Sequence, residues 1–156
     1  MKRLLLLLLA VLPIGAQTYT YTASQTTVLA AAAEVVTIQA PGTAGSSIAR
    51  LITLAGVSLN CSVACTINVE RDGTAATTTA ITAVPLNRLF PPAEAQVFKS
   101  SNVGAGTVVA SYPIAAGGTL SLDFTGKALS TGADNLTFRT NSITGTVVIN
   151  AKWTEN

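Results

Sequence analysis

The chain has 156 residues, 49% hydrophobic and 10% charged, with two cysteines and no histidine. Without imidazole, neither the usual Ser-His-Asp or Cys-His machinery nor the commonest zinc sites can be built. Beyond residue 16 seven Lys/Arg face seven Asp/Glu, so the balanced chain lacks the basic footprint that nucleic acid requires of a partner.

Lys2 and Arg3 precede an apolar run from Leu4 to Leu12, then Pro13-Ile14-Gly15-Ala16 and polar Gln17-Thr18. This is the layout of a secretory signal peptide, and its apolar run is about half the length of a membrane-spanning helix. Cleavage after Ala16 is predicted, leaving a mature chain that is secreted or at the cell surface and has no membrane span. The expected organisation is a signal peptide at 1–16, an N-terminal strand or extended arm at 17–34, and one β-sandwich domain at 35–156.

Along the mature chain the hydrophobic period is two. Tyr19 and Tyr21 alternate with Thr18, Thr20 and Thr22. These five residues are the candidate assembly arm, able to add to a neighbour's open sheet edge, or else the first strand of their own fold. Ala-rich Val28–Ala33 is the one place where a helix could start, although it is short for one. Strands are then expected at Val36–Ala40, at Leu51–Leu59 with a bulge at Gly56, and at Ile67–Glu70 ahead of an Asp72-Gly73 turn. Further strands are expected at Val108–Ile114, Leu120–Phe124, Leu136–Phe138 and Val147–Trp153. Residues 85–95 read as a surface loop, because Pro91 and Pro92 remove ladder donors.

Eight or nine short strands with Gly/Asn/Asp punctuation predict an all-β fold, an antiparallel two-sheet β-sandwich. The strand number and the long 85–95 segment favour a jelly roll, with an immunoglobulin-like topology as the alternative.

Cys61 and Cys65 bracket Ser62-Val63-Ala64. In one continuous strand they would lie about 13 Å apart, too far for a bridge. A disulfide therefore requires a turn, with Leu59 facing Ile67 on paired strands and the cysteines at the base of the loop. Export favours that bridge over two buried thiols, and the spacing is not that of a redox-active Cys-x-x-Cys pair.

Catalytic candidates are few. Glu70 and Asp72 share one side of a strand, as a glycosidase pair might, but Arg71 and Gly73 make a solvated hairpin end the better reading. Lys99, Ser100 and Ser101 are adjacent only in sequence. Asp72, Asp123 and Asp134 fall at turns and strand ends, where Asp bonds local backbone. Gly104-Ala105-Gly106 and Gly117-Gly118 read as hairpin turns, not as a phosphate cradle. Asn60-Cys61-Ser62 and Asn135-Leu136-Thr137 match the glycosylation triplet. No catalytic residue, metal site or cofactor is assigned.

The signal peptide, the Thr/Ala/Gly/Val richness, the two cysteines and the length of the mature chain resemble bacterial pilin subunits and related secreted coat proteins. Pilin cysteines are spaced more widely than Cys61 and Cys65, and Thr154-Glu155-Asn156 lacks a pilin's penultimate aromatic. The closing segment Gly145–Glu155 is similar to the last strand of small jelly-roll proteins on phage virions. These resemblances imply a non-catalytic structural or adhesive subunit, with homo-oligomer or filament neighbours as partners. The alternatives are a monomeric module for a glycan or cell-surface ligand and, third, an exported hydrolase.

Overall fold

The computed structural model describes residues 17–29, 33–42, 47–71, 79–99, 106–129, 134–140, 142 and 144–156; the expected signal peptide lies outside them. All regular structure among these residues is strand. In chain order the strands are β1 (Tyr19–Val28), β2 (Ala33–Gln39), β3 (Ile52–Cys61), β4 (Cys65–Arg71), β5 (Thr79–Ile81), β6 (Val84–Pro85), β7 (Gln96–Lys99), β8 (Thr107–Ile114), β9 (Thr119–Leu129), β10 (Asn135–Thr140) and β11 (Thr146–Glu155).

They form two antiparallel sheets, ordered β6-β1-β11-β3-β9 and β5-β7-β2-β10-β4-β8. With the three short strands β5, β6 and β7 set aside, the first long strand pairs with the eighth, the second with the seventh, the third with the sixth and the fourth with the fifth. One long hairpin rolled up so that successive pairs alternate between sheets is the jelly roll. The immunoglobulin-like alternative is set aside by this order.

The core follows from alternation. On β11, Val147, Ile149, Ala151 and Trp153 point inward and are buried, as are Ile52, Leu54, Val57 and Leu59 on β3. Phe138, Ile38, Ile67 and Val69 meet them from the other sheet. Tyr21 lies directly opposite Trp153 in the β1–β11 ladder, and their rings stack at 5.9 Å.

Three expectations need correction. The Ala-rich stretch starts no helix in its described part, because Val28 ends β1 and Ala33 begins β2; residues 30–32 lie outside the described residues. Leu59 does not face Ile67: β3 and β4 sit in different sheets, and Leu59 pairs instead with Ile149 and Leu120. Likewise Gly117-Gly118 makes an arch from β8 in one sheet to β9 in the other, not a hairpin. Alternation fixes which face a residue occupies and leaves the partner strand open. The Gly56 irregularity is present, as a register shift between Leu54 and Gly56.

Candidate interaction surface

The β1 side of the sandwich is organised by a carboxylate that alternation carries into the core. Glu155 continues the inward series of β11 and is fully buried. Its oxygens accept hydrogen bonds from the backbone N–H of Glu94 (2.9 and 3.0 Å) and Ala95 (2.9 Å) and from Trp153 Nε1 (3.0 Å). Arg50 Nη1 closes the set with an ion pair at 2.8 Å. A buried charge is tolerable only with such complete satisfaction.

Arg50 extends the network. It donates to Tyr21 OH (3.0 Å) and to Pro92 O (2.8 Å), and its guanidinium lies 5.7 Å from the centre of the Tyr19 ring. Glu94 in turn accepts from the backbone N–H of Ala49 and Arg50. Tyr21 OH donates to Pro91 O at 2.8 Å. Burial raises the Tyr21 hydroxyl above its ordinary pKa, and the Arg50 hydrogen bond only partly opposes this.

These contacts fix the 84–95 connection against β1. Phe90 packs edge-on to Tyr19 at 5.2 Å, Leu86 N donates to Thr20 O, and Leu89 N bonds Asn87 Oδ1 in a tight turn. What the connection holds outward is apolar. Leu89 is 90% exposed and Leu86 59%, with Val84 (53%) beside β1 and Val28 (73%) at its end. Seven large hydrophobics are exposed among the described residues, and four of them line this flank.

The outer edge of β1 is regular. Its ladder with β11 runs from Tyr19 to Val28 without a shift, and on the other side β6 pairs with Tyr21 and Thr22 while Leu86 N bonds Thr20 O. No described strand pairs with that edge beyond Thr22. The candidate assembly-arm residues Tyr19–Thr22 thus lie in a strand paired within their own chain, with Thr18 just before it.

The opposite flank, where β8 and β9 are the edges, is built differently. β8 exposes Val108 and Val109 but carries a bulge opposite Val69–Glu70 and Pro113 within the strand. Nearby, Cys61 and Cys65 are joined, with Cα atoms 6.4 Å apart, across the turn that leads from one sheet to the other. That turn is tied to β11 by Ser62 N to Thr146 O and Thr146 N to Ser62 Oγ. Beside it lies an open hollow of about 480 Å³, whose lining among the described residues, such as Cys65, Pro113, Ile114 and Ser142, is uncharged.

The carboxylates considered for chemistry are engaged elsewhere. Glu70 is buried and pairs with Arg139 at 2.9 Å, which corrects the solvated-hairpin reading; Asp72 lies outside the described residues. Asp134 is buried too and makes a two-pronged contact with Arg71 at 2.8 and 3.3 Å. Ser100, Ser101, Gly104 and Ala105 lie outside the described residues. Asn135 is buried, so its triplet offers no accessible acceptor, and Asn60 Nδ2 donates to Gly118 O at 3.0 Å. Among the described residues no three His, Cys, Asp or Glu are grouped to hold a metal ion, and no helix is long and apolar enough to cross a membrane.

Sequence reading missed Glu155 as a keystone. The signal is present, since the residue has the inward parity of Trp153, but the expected strand stops at Trp153. Compared with known proteins, the chain matches no family model, and no curated protein or solved structure is significantly similar to it.

Proposed function

We propose that the mature chain is a secreted, non-catalytic structural or adhesive subunit that associates with copies of itself. The observation that carries this is the β1 flank. A braced connection holds Leu86 and Leu89 in solvent beside Val84, with Val28 exposed at the far end of β1, and side chains of that size are the anchors of protein interfaces when clustered. The balanced charge of residues 17–156 removes a barrier to self-association. A disulfide and the layout of the first sixteen residues support an extracellular place of work.

A glycan-binding module is less well supported. Sugar platforms need exposed aromatic faces, whereas Tyr21, Phe138 and Trp153 are fully buried and Tyr19 and Phe90 pack on each other. A hydrolase would need free, converging carboxylates; Glu70, Glu94, Asp134 and Glu155 each face an arginine. The test is the mass of purified residues 17–156 across a concentration series by sedimentation velocity. A species larger than one chain is expected at high concentration, and a monomer throughout would refute the proposal.

A further inference from the structure

The outer edge of β1 specifies how a second copy would bind. In an antiparallel ladder a residue's N–H and C=O point to the same side, and that side alternates along the strand. Leu29 N donates to Gly145 O, so the odd residues of β1 bond toward β11. Leu86 N donates to Thr20 O, so the even residues bond outward, toward β6. Past the two residues that β6 covers, Ser24, Thr26 and Val28 therefore direct backbone donors and acceptors away from the sheet. No charged residue occurs between Gln17 and Ala33, and proline and bulges, the other usual safeguards of an edge, are missing from β1.

From this we infer, building on the self-association proposed above, that two copies pair β1 against β1 around a twofold axis passing through Thr26. Residues opposite one another in an antiparallel pair share a face, so odd must meet odd and even must meet even. In the register centred on Thr26, Ser24 meets Val28 of the second copy, Gln25 meets Thr27 and Ala23 meets Leu29. The pairs Ser24 with Val28, Thr26 with Thr26 and Val28 with Ser24 each exchange two bonds, six in all. A register centred on Gln25 places Val28 opposite Thr22, which β6 already occupies; one centred on Thr27 leaves Ser24 unpaired. Only the Thr26 register uses every outward group.

The side chains agree with the backbone. Ala23 and Leu29, both inward-facing and already buried in the single chain, keep the core side of the junction apolar. On the outer face Val28 of one copy falls two positions along from Val84 of the other, about 7 Å away, which brings together two exposed valines. Gln25 Nε2 donates to Thr26 O in the single chain, and a carbonyl's second lone pair leaves that oxygen able to accept from the partner. The result is one continuous sheet through two jelly rolls, an isologous contact of the commonest symmetry.

Thr26→Pro and Thr26→Cys test this in the mature chain. Because Thr26 N–H does not bond to β11, proline at 26 costs no ladder bond within the monomer, while it removes one donor from each copy across the axis. The variant should keep the wild-type circular dichroism spectrum and weaken association about a hundredfold or more. Cysteines at 26 would have Cα atoms about 5.5 Å apart across the axis, within disulfide range, and should yield a covalent dimer on mild oxidation. Ser24→Cys should not, its two copies being about 13 Å apart. Wild-type chain that stays monomeric at every concentration overturns both this inference and the self-association beneath it. Assembly that survives Thr26→Pro, or a Thr26→Cys variant that fails to cross-link while the chain associates, overturns the register alone.

Discussion

The two flanks of this sandwich handle their open edges in opposite ways. On the β8–β9 flank the edges are irregular: β8 has a bulge and Pro113, and β9 shifts register against β3 so that Leu54 meets Lys127 while Gly56 meets Asp123. Such breaks disfavour the addition of another strand. On the β1 flank the ladder is unbroken for ten residues and uncharged, and a buried ion pair braces the connection beside it. The bonds that lock residues 84–95 in place therefore lie on the same flank as the strand edge proposed for association.

The sharpest way to break the contrast is to remove its keystone. Glu155→Ala removes the closer of Arg50's two carboxylate partners and leaves the N–H groups of Glu94 and Ala95 and the indole of Trp153 without that acceptor, costing about 3–5 kcal/mol. Urea unfolding should show the loss, and thermolysin should then cut within residues 86–95. Ser121→Ala, at an exposed position of β9 on the other flank, should change stability by under about 0.5 kcal/mol. Equal losses at the two positions would remove the distinction between the flanks.

Next in size is the disulfide. A loop this small restricts the unfolded chain by about 2 kcal/mol on the chain-entropy model, and Cys61→Ser with Cys65→Ser should lower the urea midpoint accordingly without altering assembly. Gly145→Ala should cost about 1–3 kcal/mol. Its φ of +90° disfavours any Cβ, and one placed there would meet Val63 Cγ2 and Ser62 Oγ. Differential scanning calorimetry of both variants would rank them.

The smallest effect is on pH dependence. The Tyr21 hydroxyl has a folded-state pKa above its ordinary value of 10.0, so the folded chain holds that proton more tightly than the unfolded chain does. The corresponding stability is fully present below pH 10 and is lost as pH rises through the folded-state value. Tyr21→Phe should flatten the alkaline limb of stability against pH, at a cost of about 1–2 kcal/mol at neutral pH for the bonds to Pro91 O and Arg50. An unchanged alkaline limb would mean that the hydroxyl titrates as freely folded as unfolded.

Much of this architecture was legible in the sequence because alternation is a local property. Leu51–Leu59 and Val147–Trp153 each read as a strand with an inward face, Tyr19–Tyr21 as a strand or an arm, and the strand number with the long 85–95 segment only favoured the jelly roll over an immunoglobulin-like order. What stayed hidden depended on partners remote in sequence. Nothing near Glu70 reveals Arg139, and nothing near Asp134 reveals Arg71, so Glu70 reads as part of a solvated hairpin end and Asp134 as a turn residue. β5, β6 and β7 are too short to show a period. The β1 edge falls between these cases: its lack of charge was plain, but the direction of its free backbone groups needed the Leu29 and Leu86 hydrogen bonds.

Amide hydrogen exchange, followed residue by residue as concentration rises, tests the asymmetry most directly. The amides of Ser24, Thr26 and Val28 should exchange rapidly in dilute protein and become protected together on concentration, while the outer amides of β8 stay fast throughout. Protection that grows on β8 or β9, with β1 unchanged, would contradict the account.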